Sequence, residues 1–153
     1  MNVIFINAFS QAMESVLKTM AFVEPRMGKP YLKKDNKAVG DISGIIGLTG
    51  AMRGSLALSF SEKSILRIVS NMLGEEITSI NGDIKDAVGE ITNMVSGAAR
   101  QHLEKEGLII TAAIPTVVAG KNHQVAHVLG APSIIIPFET DDGKFVIDVC
   151  LGE

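Results

Sequence analysis

In the run DAVGEITN, Glu90 and Asn93 stand three residues apart, so on a helix they are neighbours on one face. An asparagine amide cannot serve as a base, but it donates and accepts hydrogen bonds at once. It can therefore hold a water molecule in line with a scissile bond, as a glutamine does in signalling GTPases. A carboxylate one turn away can pair with a partner's lysine and fix the register of docking. No nucleophile or histidine joins this pair, and the carboxylate-plus-histidine spacing of a metal site is absent.

The segment that must position them, DIKDAVGEITNMVSGAARQHLEKEG, reads as one long helix started by Asn81 or Asp83. At about 100° per residue, Ile84, Val88, Ile91, Val95, Ala98 and His102 gather on one stripe, which is expected to face the core. Asp86, Glu90, Asn93, Gly97, Arg100 and Glu104 form a second stripe on the opposite side, turned to solvent. Such a stripe is ordinarily a solvated helix face. Two details weigh against that reading. Asn93 is a mid-helix residue of low propensity that caps nothing. Gly89 and Gly97 each cost the helix about 1 kcal/mol relative to alanine, and with Ser96 they leave a low surface over which a partner's backbone can approach.

Elsewhere the periodicity predicts an amphipathic helix over residues 3 to 22, carrying Ile4, Phe5, Ala8, Phe9, Ala12, Val16, Leu17 and Met20. YLKKDNKAVGDISGIIGLTG and RGSLALSF read as strands joined by the turn GAMRG. SEKSILRIVSNMLGEE is a helix with Ser61 as N-cap and Gly74 just past its end. After Gly107 come the strand candidates LIITAAIPTVVAG, SIIIPFET and KFVIDVCLG, the last two a hairpin through Asp141, Asp142 and Gly143. Hairpin-linked strands with grouped helices predict an α+β domain over residues 1–153, with a mostly antiparallel sheet packed against amphipathic helices.

The chain has 14 Lys and Arg against 17 Asp and Glu, for a net charge of −3, and no basic cluster. A nucleic-acid surface is not expected. The N-terminal run is interrupted by Asn7, Gln11, Glu14 and Lys18, so neither a signal peptide nor a membrane span is expected, and the chain reads as cytoplasmic. The single cysteine, Cys150, lies in an apolar alternating run and reads as a buried thiol.

Three other signals are weak. His123 and His127 in HQVAH are four apart, a spacing that binds metal on a helix. Gln124 stands where a zinc protease has its glutamate, however, and the segment reads as loop. The glycine-rich GLTGAMRGS does not fit phosphate-loop spacing. Arg100 can assist a phosphoryl group or serve as a surface ion-pair partner.

The motif Asp86, Glu90, Asn93 resembles that of the CheX/CheC/FliY family of bacterial chemotaxis phosphatases, whose pattern is Asp or Ser, three residues, Glu, two residues, Asn. Similarity extends through GSLALSF, SEKSILRIVSNMLGEE and PSIIIPFETDDGKFVIDVCL. The family carries a proline some two dozen positions after the motif on a strand, for which Pro115 is the candidate. One motif helix fits the CheX branch, whereas CheC proteins have two.

The resemblance implies a CheX/CheC-like fold and hydrolysis of the aspartyl phosphate of a CheY-like response regulator. Asn93 would orient the attacking water and Glu90 would contact the regulator's lysine. Asp86, Gly89, Gly97 and Arg100 would meet the partner. No cofactor or metal would be bound by this chain; Mg2+ is expected on the regulator. A homodimer joined through sheet edges is also implied. The alternative is a non-catalytic module that binds or docks a regulator through the same stripe; a small-ligand sensor rests on fold analogy alone.

Overall fold

The computed structural model describes residues 3–33, 40–121, 123, 125, 127 and 133–152. Three helices, α1 (Val3–Ala21), α2 (Glu62–Leu73) and α3 (Gly82–Lys105), lie on one face of an antiparallel sheet. Its strands are β1 (Arg26–Met27), β2 (Tyr31–Leu32), β3 (Ile42–Gly50), β4 (Arg53–Phe60), β5 (Ile110–Ala112), β6 (Thr116–Ala119), β7 (Ile134–Thr140) and β8 (Gly143–Gly152). The order is β1-β7-β8-β4-β3-β5, with β2 also paired to β7 and β6 also to β3. This is the expected α+β architecture.

Local chemistry sets the boundaries. Ser61 caps α2 by accepting from the Ser64 amide at 3.3 Å, and Asp41 Oδ2 accepts from the Glu62 amide at 2.8 Å. Gly74 ends the helix with φ 69°. Of the two starts open for the long helix, Asn81 is the cap, its Oδ1 accepting from the Ile84 amide at 3.0 Å. The closing hairpin forms as expected, with β7 and β8 joined through Asp141 and Asp142.

Two expected strands are divided. Only Tyr31–Leu32 and Ile42–Gly50 of the first are strand, and positions 34–39 lie outside the described residues. LIITAAIPTVVAG becomes β5 and β6, both paired to β3. Pro115 stands between them and has no N–H to give, so it cannot carry the ladder through. It thus occupies a connection, not the strand expected for it.

Phe9, Met13, Leu17, Leu56, Leu58, Phe60, Ile65, Phe145 and Ile147 fill the space between helices and sheet. Phe145 packs against Phe60 and Phe138 with ring centroids 5.4 and 5.5 Å apart. Alternation along the strands sends Ser43, Ser55, Ser59, Asp148 and Cys150 to the opposite face. These residues are buried too, as expected for the thiol. No helix among the described residues is long and apolar enough to cross a membrane.

Candidate functional site

Helix α3 is covered on two adjacent sides, by α1 and by strands β3, β5 and β6. Ile84, Val88, Ile91 and Val95 are buried as the stripe required, but so are Ala87, Thr92, Ser96, Ala99 and Leu103. Ala98 and His102, expected in the core, are only half-buried. A single stripe was the wrong description: two neighbours bury a wider arc than one sheet would. Ser96 therefore lines no outer surface.

Helix α3 comes tightly against the sheet at Gly44 of β3. A methyl group there would collide with Thr92 Oγ1 and lie 3.2 Å from Val88 Cγ1. The Thr92 hydroxyl donates to Val88 O at 2.7 Å, satisfying its own buried polar group within the helix. This seating fixes how α3 is rotated about its axis, and so which side chains it turns outward.

Those side chains are the anticipated ones. Asp86, Glu90 and Asn93 are exposed, and Gly89, Gly97 and Arg100 are half-buried beside them. Arg100 Nε donates to Ser96 Oγ at 3.4 Å, laying the guanidinium along the helix. A methyl group at Gly89 would meet only Val117 Cγ2, at 3.6 Å, and one at Gly97 only an Arg100 nitrogen, at 3.9 Å. Both are ordinary contact distances, so the fold itself does not exclude alanine at either position. That separates Gly89 and Gly97 from Gly44, whose smallness internal packing demands. The same edge of the molecule exposes apolar side chains: Ile109 is 66% exposed and Ile114 is 88% exposed.

His123 and His127 lie elsewhere, on the face of the sheet away from the helices. His123 Nδ1 donates to Gly120 O at 2.7 Å, its Nε2 lies 2.6 Å from Ser43 Oγ, and Ser43 Oγ shares a further hydrogen bond of 2.6 Å with Ser59 Oγ. His127 Nε2 donates to Asp148 Oδ1 at 2.8 Å, and its Nδ1 meets Ser55 Oγ. Lys33 Nζ reaches Asp148 Oδ2 at 2.6 Å and the Val125 carbonyl at 3.3 Å. The two rings thus bond different serines and share no ligand. Asp148 pulls against its burial: desolvation raises its pKa, but bonds from His127, Lys33 and Ser133 more than offset this and hold it below the ordinary value. Sequence reading missed this cluster. Its signal was a lone acid at the centre of FVIDVC, where every neighbour is apolar.

Among the described residues no three His, Cys, Asp or Glu side chains converge as a metal site. The clefts on the helical side are open at the surface, including one of about 540 Å3 between Phe22, Arg67, Asn71 and Glu76.

The family model described as chemotaxis phosphatase CheX matches residues 42–139, a span that includes the whole of α3. The chain belongs to the CheX family. Its similarity to the CheY-P phosphatase CheX of Thermotoga maritima is 31% identity over 121 residues, covering 78% of each chain. Among solved structures, a CheC-like superfamily protein from Shewanella sp. PV-4 superposes with a TM-score of 0.93 at 47% identity, covering 100% of both chains. A CheX–CheY–BeF3–Mg2+ complex from Borrelia burgdorferi contains a chain that matches with a TM-score of 0.80 at 25% identity, covering 97% of this chain and 98% of that one. The family resemblance read from DAVGEITN is borne out, and so is the CheX/CheC-like fold.

Proposed function

We propose that this CheX-family protein accelerates hydrolysis of the aspartyl phosphate on a CheY-like response regulator, using the exposed Glu90–Asn93 face of α3. The observation that carries the reading is the outward display of an amide and a carboxylate, one turn apart, on a helix locked to its sheet at Gly44–Thr92. Asn93 would enter the regulator's acidic centre, where its amide holds a water in line with the phosphorus. Glu90 would pair with a regulator lysine and set the depth of entry. Asp86, Gly89, Gly97 and Arg100 would line the contact.

Mg2+ and the electrophilic groups would belong to the regulator. The CheX-family chain would contribute alignment, a term that can amount to several kcal/mol. Support for this partner comes from the phosphatase name of the Thermotoga relative and from the Borrelia complex. A cytoplasmic site of action follows from that partner class. A homodimer through a sheet edge is part of the same proposal, and the exposed Tyr31 and Leu32 of the short strand β2 are suited to such a contact.

The test is phosphate release from acetyl-phosphate-loaded receiver domains with Asn93→Ala and Glu90→Ala variants. Asn93→Ala should lower kcat by about 100-fold with binding retained, as for loss of one preorganised hydrogen-bonding group. Glu90→Ala should act mainly by weakening association. Binding of the phosphorylated receiver without any acceleration by the wild type would instead establish the docking-module alternative.

A further inference from the structure

Between the C-terminal half of α3 and strand β5 runs a surface groove of about 260 Å3, lined by Gly97, Arg100, Gln101, Glu104, Ile109 and Ile110. Three of these, Gly97, Arg100 and Glu104, stand on the same stripe as Asn93. Ile110 is buried, whereas Ile109 leaves 66% of its surface in water. The groove is therefore an apolar wall opposite a polar one, and its lining residue Gly97 lies one helical turn from Asn93.

Size decides what covers it. A stable contact between two folded proteins buries about 800 Å2 on each partner, equivalent to a disc of roughly 16 Å radius. Helical rise places Gly97 about 6 Å and Arg100 about 10 Å along the axis from Asn93. A folded domain centred on Asn93 cannot avoid this groove. Gly97 supplies the passage from stripe to groove, since its missing side chain is not demanded by anything inside the protein.

We infer that the Gly97–Ile109 groove is the specificity-determining half of the docking surface. In it an apolar side chain of the receiver domain, beside the phosphoaspartate pocket, packs on Ile109 between Arg100 and Glu104. The inference rests on the phosphatase reading of Glu90 and Asn93 and assigns recognition to a separate place. Asn93 acts on the reacting water; Ile109 selects the protein that brings it. In such interfaces binding energy concentrates in a few well-packed, desolvated pockets ringed by contacts that exclude water.

The experiment uses the full chain and a CheY-like receiver that the wild type dephosphorylates. Turnover is followed with acetyl phosphate and Mg2+, and binding with the receiver trapped by beryllofluoride. Ile109→Lys, and the milder Ile109→Ser should the lysine variant misfold, are expected to raise KM and Kd by roughly tenfold. Their kcat should stay within about twofold, whereas Asn93→Ala should show the reverse split. Unchanged KM and Kd in both Ile109 variants, with Asn93→Ala inactive, overturns the groove and leaves the phosphatase reading standing. Full activity in Asn93→Ala overturns the reading and this inference together. A fall in molecular mass by light scattering in Ile109→Lys, with KM unchanged, would make the groove a contact between copies of this chain and overturn it as well.

Discussion

Thr92 and Asn93 are consecutive residues on either side of the boundary between core and solvent: Thr92 is fully buried against Gly44 of β3, and Asn93 is exposed. A helix turns by about 100° per residue, so whatever fixes Thr92 also aims Asn93. The fixing contact is steric and lies inside the protein, on a strand that is itself paired to β4, β5 and β6. The amide is thus presented from a part of the helix that is braced against the sheet. That suits a group whose whole contribution is alignment.

Gly44→Ala tests this coupling. The added methyl would press on the Thr92 hydroxyl and on Val88, neither of which can leave the core. A loss of about 1–3 kcal/mol is expected from overpacking, read by urea denaturation. Phosphatase activity should fall further than stability at temperatures where the variant remains folded, because α3 must roll or lift. A variant equally destabilised but fully active when folded would show that the orientation of Asn93 does not depend on this seat.

Gly97→Ala should move stability and activity in opposite directions. Nothing inside the protein opposes the methyl group, and helix propensity favours alanine by about 1 kcal/mol. The melting temperature should rise by roughly 2–4 °C for a chain of this size. The same methyl stands on the proposed approach path of the regulator, so KM for the phosphorylated receiver should increase. A more stable variant with unchanged KM would leave the glycine without a docking role.

Much of this was legible in the sequence, for physical reasons that can be named. Alternation in RGSLALSF and KFVIDVCLG, the Ser61 and Gly74 helix signals, and the outward stripe of the long helix are all local properties, and each appears where the pattern put it. The exact buried arc of α3 was not legible, because it depends on a second helix lying across it. Ala98 and Ser96 were consequently assigned to the wrong environments. Pro115 was misplaced for a related reason: a proline's effect on a ladder depends on which neighbours need its missing donor. The polar cluster around Asp148 was invisible because its members, Lys33, Ser55, His127 and Asp148, are far apart in the chain and meet only in the folded protein.

That cluster predicts how acid should act on the fold. The Asp148 carboxyl is held below its ordinary pKa by His127, Lys33 and Ser133. The native state therefore binds this proton less readily than the unfolded chain does. Stability from the ionised group is fully present above the unfolded value, near 3.9 for an aspartate. It is lost as pH falls from there through the lower native value. Above that window the carboxylate holds Lys33 at 2.6 Å and His127 at 2.8 Å, with side chains only 7% and 6% exposed. Asp148→Asn removes the charge at every pH and leaves Lys33 without its counter-ion. At pH 7 it should cost about 3 kcal/mol, as for breaking one partner of a buried pair. Below about pH 4 the gap between variant and wild type should narrow, since protonation does to the wild type part of what the amide does to the variant. Urea titrations of both proteins at pH 7 and pH 3.5 measure this. A gap that stays constant would mean that the Asp148 charge contributes nothing to holding Lys33 and His127 against the sheet.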